Sequence, residues 1–347
     1  MKIHEKYIQR CIQLAQNGLG TTYPNPLVGC VIVHNDAIIG EGWHRKAGEP
    51  HAEVRAVHSV KNKDLLKEAT IYVSLEPCSH FGKTPPCSDL ILEMGIPTIV
   101  IGTIDPFAAV AGRGIQKLRD AGRNVIVGVL EHECRVLNKR FFTFHNQKRP
   151  YIILKWAQTA DGFIAPLTKE KKAPVWISNP YARQLAHKWR SEEQAILVGT
   201  TTVLDDNPKL DTRDWFGNNP IRLVVDRSGK IGKNYHIKNG EKPTIVFTEI
   251  ENKESDNQVT YLICNFEYSL PEQIAKLVAQ KNVQSILVEG GSKMLQQFID
   301  ADLWDEARVF ECQAQWGSGI KAPQWNAVAN HTETIVDNQL KIYFRYD

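Results

Sequence analysis

His51, Glu53, Cys78 and Cys87 are the residues of this chain best suited to chemistry. One imidazole and two thiolates fill three corners of a tetrahedral zinc site and leave the fourth for water. That open corner separates a catalytic zinc from a structural one. Zinc lowers the pKa of its water toward neutrality, so a hydroxide nucleophile becomes available near pH 7. Glu53, two residues from the imidazole, is placed to carry protons between that water, a ring nitrogen and a leaving amine. A lone His or free Cys is more often core than ligand. Here His51, both cysteines, the neighbouring Glu and Pro77 ahead of Cys78 occur together, which favours the metal. A structural zinc would need a fourth protein ligand. His80 could serve, but its Gly- and Pro-rich surroundings place it better at a pocket mouth.

A His-x-Glu element followed by Pro-Cys and a second Cys is the layout of zinc-dependent nucleobase deaminases. The spacing is unusual for that layout. Eight residues, Ser79 to Pro86, separate the cysteines where two are customary.

Composition narrows the setting. At 347 residues the chain is long enough for two domains, and 42% hydrophobic with 23% charged residues is ordinary for a globular protein. A net charge of +3, with no basic cluster interleaved with aromatics, argues against nucleic acid as a partner. No 18-residue apolar run suggests a membrane span, and no signal-peptide core is read at the N-terminus. Seven cysteines, an odd number, do not read as a disulfide framework, so a cytoplasmic enzyme is expected. A homo-oligomer is compatible with all of this.

Hydrophobic periodicity then indicates the elements that must position the site. Helices are expected over Ile3–Asn17, His51–Val60, Ser88–Met94, Gly114–Asp120 and Arg135–Phe144. Strands are expected over Leu27–Val33 and Ala37–Gly42, joined at Asn35-Asp36, and over Ile71–Leu75, Thr98–Ile101 and Val125–Val129. This alternation predicts an α/β layer sandwich with both metal elements where a strand hands over to a helix. A linker at 147–150 divides a domain of 1–146 from one of 147–347. The second domain again alternates, with strands from Tyr151–Ala157 to Ala307–Glu311 and helices at Pro180–Trp189, Glu272–Gln280 and Lys293–Ile299. It ends in a hairpin, Thr334–Tyr346, expected to turn at Asp337-Asn338.

Taken together, these segments resemble the bifunctional deaminase-reductase family of riboflavin biosynthesis. Thr22–Cys30, Gly40–His44, Ala47–Val54 and Glu76–Cys87, with its long insertion, look like the deaminase half. Lys155–Gly162, Trp176–Ser178, Gly199–Pro208 and Val288–Gly291 look like the reductase half. The resemblance implies a cytidine-deaminase-like α/β/α layer sandwich followed by a dihydrofolate-reductase-like α/β domain. It also implies Zn2+ and NADPH as cofactors and a small phosphoribosylaminopyrimidine as substrate. The first half would deaminate 2,5-diamino-6-(5-phosphoribosylamino)pyrimidin-4(3H)-one. The second would reduce the ribosyl group of 5-amino-6-(5-phosphoribosylamino)uracil to ribityl. The absence of a Gly-x-Gly-x-x-Gly after any strand agrees with a reductase that is not of the Rossmann type.

Carried over by position, Ala157, Trp176, Thr202, Asp206, Gly291 and Ser292 would contact NADPH. Asn25, His44, His80 and Lys83 would face the substrate in the first half, and Arg190, Leu210, Arg213 and Glu289 in the second. Lys83 is suited to a phosphate dianion because both ends of its loop are pinned to one metal. Phe107-Ala108 and Ala173-Pro174 depart from the family pattern. The rival readings are a nucleotide or tRNA deaminase with an unrelated C-terminal domain, and a zinc-stabilised scaffold without activity. The first leaves the second-half matches unexplained, and the presence of Glu53 argues against the second.

Overall fold

The computed structural model describes residues 2–79, 81, 85–107, 111–169, 173–251, 253–256 and 258–345. The chain divides into two compact units, Met1–Gln147 and Lys148–Asp347. No helix among the described residues is long and apolar enough to cross a membrane.

In the first unit, strands β1 (Gly29–His34), β2 (Ala37–Trp43), β3 (Thr70–Leu75), β4 (Thr98–Thr103) and β5 (Asn124–Val127) form one sheet in the order β2-β1-β3-β4-β5. The β1–β2 hairpin turns at Asn35-Asp36, both at positive φ, which these two residue types tolerate better than most. Strands β3, β4 and β5 run parallel. Alternation along each strand sends side chains to opposite faces. Val31, Val33, Tyr72 and Val100 pack under α1 (Lys2–Gln16) and the later helix α5 (Glu131–Leu137). Cys30, Ile32, Ile71, Val73 and Ile99 face α2 (Ala52–Ser59), α3 (Cys87–Glu93) and α4 (Arg113–Asp120). The result is an α/β/α layer sandwich.

The single helix expected at 135–144 is instead two, α5 and α6 (Lys139–Gln147), which break at Asn138. The buried Asn138 amide explains the break. It donates to the Leu27 carbonyl and accepts from the Leu27 N–H, both at 2.8 Å, as a strand neighbour would.

The second unit contains β6 (Tyr151–Gln158), β7 (Phe163–Ala165), β8 (Ala195–Val198), β9 (Ile221–Val225), β10 (Thr244–Thr248), β11 (Val259–Ile263) and β12 (Ser285–Val288). It continues with β13 (Glu306–Glu311), β14 (Ile320–Lys321), β15 (His331–Ile335) and β16 (Asn338–Phe344). Its helices are α7 (Pro180–Glu192), α8 (Thr200–Asp206), α9 (Leu270–Ala279) and α10 (Ser292–Asp300). Nine strands form one sheet in the order β11-β10-β9-β8-β12-β6-β13-β16-β15, with β7 and β14 paired separately. Seven strands are parallel, and β16 runs antiparallel to both β13 and β15. From β8 the chain proceeds to β9 on one side, and from β12 to β13 on the other. Their diverging connections leave a crevice at the carboxyl ends of these adjacent strands, where ligands of open α/β sheets bind.

Strands β7 and β14 were not anticipated, and two further local features differ from expectation. Helix α8 was not anticipated, because three threonines in seven residues are poor helix formers. The terminal hairpin turns at Val336-Asp337, one residue earlier than expected, with Ile335 opposite Asn338. Asn338 is buried and accepts from the Asn179 N–H at 2.8 Å, which draws it into the strand and leaves Val336 at positive φ.

Candidate metal centre and cofactor crevice

His51 is the N-cap of α2, in extended conformation, and its ring makes no capping bond. The helix is held close to β2 because Gly42 has no side chain. A Cβ there would lie 2.6 Å from the Ala56 nitrogen. Cys78 follows β3, and Cys87 is the first residue of α3. The His51 Nδ1 lies 3.6 Å from Cys78 Sγ and 3.3 Å from Cys87 Sγ. All three donor atoms fall within 4.8 Å of one another. Tetrahedral zinc with ordinary bond lengths sets its ligands ~3.3–3.8 Å apart, so the donor set and its spacing fit the ion.

Hydrogen bonding from Cys87, with His51 adding to it, draws Cys78 toward the thiolate, down to about 4. The same bond, together with burial, holds Cys87 protonated. The Cys87 N–H also donates to Cys78 Sγ at 3.3 Å, an arrangement expected of a thiolate at a helix start. Glu53, in the first turn of α2, is buried, and burial raises its pKa, with Cys78 adding to the effect.

His44 is only 2% exposed. Its Nδ1 faces the Pro50 carbonyl at 3.3 Å, and its Nε2 lies 3.1 Å from the Asn25 amide nitrogen. A carbonyl only accepts, so Nδ1 carries the proton and Nε2 accepts from Asn25. The ring stands edge-on to His51 with centroids 5.4 Å apart. Asn25 is half-buried and its remaining amide atom is available to a ligand. His80 and Lys83 lie outside the described residues, as does Ala108 of the Phe107-Ala108 departure.

In the second unit, the crevice between β8 and β12 is built by close backbone approach. A Cβ on Gly290 would lie 2.4 Å from Val198 Cα, and one on Gly291 would lie 3.3 Å from Thr202 Oγ1. Gly291, at φ 53, caps α10, whose first residue is Ser292. Backbone N–H groups at such a helix start suit a cofactor phosphate. Thr202 and Asp206 lie on α8, which begins at the end of β8, and Asp206 pairs with Lys169. Ala157 lies near the carboxyl end of β6. Trp176 is 53% exposed, with the Arg183 guanidinium 5.0 Å from its ring centre.

Arg190 grips Glu289 through two bonds of 2.8 and 2.6 Å and donates to the Asp211 carbonyl at 3.1 Å. Arg213 and Lys242 both reach the Asp211 carboxylate. Burial opposes ionisation of Glu289, but Arg190 and Lys155 overcome it and bring the carboxyl to about 2. Leu210 has its side chain in the core, at φ 50, so only its backbone is placed to meet a ligand.

Sequence reading did not assign roles to four further residues of these sites. Lys155 stands on β6 beside Glu289, and burial lowers its pKa. His187 lies three residues before Arg190 and therefore on the same helix face; burial, then Arg190 and Arg213, depress it to about 4. Glu76 and Asp105 are buried next to Cys78. Glu76, in Glu-Pro-Cys, and Lys155, which opens the Lys155–Gly162 segment, carried local signals; His187 carried none.

Comparison with known proteins agrees with this division. Residues 1–103 match the family model for the cytidine and deoxycytidylate deaminase zinc-binding region, and residues 150–314 match that for the RibD C-terminal domain. The chain is 41% identical over 325 residues to the riboflavin biosynthesis protein RibD of Aquifex aeolicus, covering 92% of this chain and 89% of that one. It is 43% identical over 298 residues to RibD of Actinobacillus pleuropneumoniae, covering 83% and 78%. The crystal structure of a diaminohydroxyphosphoribosylaminopyrimidine deaminase/5-amino-6-(5-phosphoribosylamino)uracil reductase from Thermotoga maritima superposes with a TM-score of 0.90. It has 38% identity and 99% coverage of both chains. A zinc-binding deaminase-type domain and a RibD reductase domain thus occur in one polypeptide, and the chain belongs to the RibD family of riboflavin biosynthesis proteins.

Proposed function

We propose that residues 1–146 carry out the hydrolytic deamination and residues 147–347 the NADPH-dependent reduction of this family's two-step conversion. The substrate of the first step is 2,5-diamino-6-(5-phosphoribosylamino)pyrimidin-4(3H)-one, which loses its 2-amino group as ammonia. The product, 5-amino-6-(5-phosphoribosylamino)uracil, then gains a hydride and a proton as its ribosyl ring opens to ribityl. The observation that carries this reading is the meeting of His51 Nδ1, Cys78 Sγ and Cys87 Sγ around one point beside a buried Glu53.

His51, Cys78 and Cys87 would hold the zinc, which would supply Lewis acidity and lower the pKa of a water bound to it. Glu53 moves the protons, passing one from the attacking water to the ring nitrogen and then the second, from the hydroxyl that the water has become, to the departing amine. Burial suits it to this work because a raised carboxyl pKa brings the proton closer to even sharing near neutrality. Asn25 meets the substrate, and His44 faces it from behind Asn25, holding that amide in one orientation. His80 and Lys83 are assigned to the phosphate end.

NADPH, bound in the second unit, would supply the hydride of the second step. Gly291 and Ser292 receive a cofactor phosphate on backbone N–H groups, while Ala157, Trp176, Thr202 and Asp206 line the rest of the cofactor. Arg190 and Arg213 bring positive charge to the substrate phosphate, with Glu289 and the Leu210 backbone beside them. Seven unpaired thiols suit a reducing compartment, and we assign the cytoplasm. A nucleotide or tRNA deaminase with an unrelated second domain is not favoured, because the relatives match across both units.

The direct test incubates the full chain with the diaminopyrimidine, with and without NADPH. Ammonia release should not require NADPH, whereas loss of NADPH absorbance should follow addition of the deaminated intermediate. Ammonia release that depends on NADPH, or no NADPH consumption with the intermediate, would overturn the division of labour.

A further inference from the structure

Glu76, the residue after β3 and two before Cys78, is 4% exposed. Among the described residues no cation pairs with its carboxylate; four backbone N–H groups surround it instead. Oε2 accepts from Gly112 at 2.8 Å and Asp105 at 3.3 Å. Oε1 accepts from Gly114 at 3.0 Å and Ile115 at 3.3 Å. Gly114 and Ile115 open α4, whose N-cap, Gly112, has no side chain with which to satisfy them. Glu76 therefore caps a distant helix in trans, where the helix dipole also favours negative charge. The fit is tight on the other side of the same turn. A Cβ on Gly114 would come within 2.2 Å of the Pro77 carbonyl, so α4 presses directly on the residue preceding Cys78. The Glu76 N–H donates to the Thr103 carbonyl at 2.9 Å and completes the clamp.

We propose that Glu76 is a positioning residue that holds the Cys78 turn in register with the segment opening α4, and so tunes metal affinity without touching metal or substrate. The inference rests on the assignment of His51, Cys78 and Cys87 as zinc ligands. Outer-shell partners of metal ligands change affinity by roughly 10–100-fold when altered. Glu76→Gln is nearly isosteric, but its NH2 faces two N–H donors that the carboxylate had satisfied. Those donors lose their acceptor, and the turn carrying Pro77 and Cys78 loses one side of its clamp.

The test measures zinc dissociation constants of the full-length protein by competition with a chromophoric chelator. The parent, Glu76→Gln and Leu118→Ala are compared, the last being a buried α4 change that weakens the unit away from the clamp. The expected result is zinc binding weakened about 10–100-fold in Glu76→Gln, within twofold of parent in Leu118→Ala, and NADPH-dependent reduction unchanged in both. If Glu76→Gln is unfolded in its first unit without metal, the midpoint of zinc-driven refolding reads the same affinity. Equal affinity in Glu76→Gln and parent would overturn the inference, as would equal weakening in Leu118→Ala or failure to refold in excess zinc. Failure of the parent itself to bind one zinc would instead overturn the ligand assignment beneath it.

Discussion

The two units solve the problem of placing polar groups in a protein interior by different means. In the first, one imidazole nitrogen and two sulfurs converge on one point, an arrangement that a metal ion completes. In the second, opposite charges complete one another. Arg190 is bound to Glu289, Arg213 and Lys242 to Asp211, and Asp206 to Lys169, so each of these carboxylates is held by a cation of the same unit. The first site should therefore depend steeply on its metal and little on pairing. The second should lose folding stability when any one partner is removed.

The largest effect expected is at Cys87. Cys87→Ala should bind zinc poorly and abolish ammonia release, while NADPH oxidation with supplied intermediate continues at the parent rate. Metal analysis and the two assays on the full chain check this. Loss of both activities would mean that the units are not independent in the way the contrast requires.

Glu53→Ala comes next and separates proton transfer from metal binding. It should keep stoichiometric zinc and lower the deamination rate by about 10²–10⁴-fold, the range for a positioned acid/base. Near-normal ammonia release with zinc bound would remove Glu53 from the proton path.

For the second unit, Arg190→Met leaves the buried Glu289 without its hydrogen-bonded partner and with Lys155 alone beside it. Breaking such a pair costs roughly 3–5 kcal/mol, whereas replacing both members is often close to neutral. Denaturant unfolding should show that loss in the single variant and recover most of it in Arg190→Met/Glu289→Leu, with reduction impaired in both. A double variant no more stable than the single one would show that the pair is not balanced internally.

The smallest expected effect is a pH dependence. His187 is held at about 4, below its ordinary 6.5, so the unfolded chain takes up this proton first. Stability of the second unit should fall as pH drops from ~6.5 to ~4, by on the order of 1–3 kcal/mol. Glu289, held at about 2 against an ordinary 4.5, loses its contribution in a lower window, from ~4.5 down to ~2. Unfolding measured across both windows should show two successive declines, and His187→Gln should flatten only the upper one.

Legibility differed between the units for a related reason. Ligand types, order and flanking Pro77 made His51, Cys78 and Cys87 readable before any fold was known, because zinc demands particular atoms and helix starts keep them near in sequence. Most strands were readable as short β-rich apolar runs, as Cys30 to Val33, buried on both faces, illustrates. Helix α8 was not, since its threonines form a helix only where Gly199 releases the chain from β8. Asn138 gave no sign that its amide would replace a strand partner for Leu27 and break a helix. Nor did Asn338 announce the bond that shifts the final turn to Val336.

By itself, then, the sequence determined the alternating α/β pattern, the three donor atoms and the carboxylate beside them, for these are written in residue type and short spacing. Tertiary structure alone decided which charges cancel and which backbone groups a side chain must satisfy. Arg190 meets Glu289 across 99 residues, and Glu76 caps a helix that starts 37 positions later. Such pairings depend on strand order, because only the order of a sheet brings distant segments within the few ångströms over which hydrogen bonds and buried charges act.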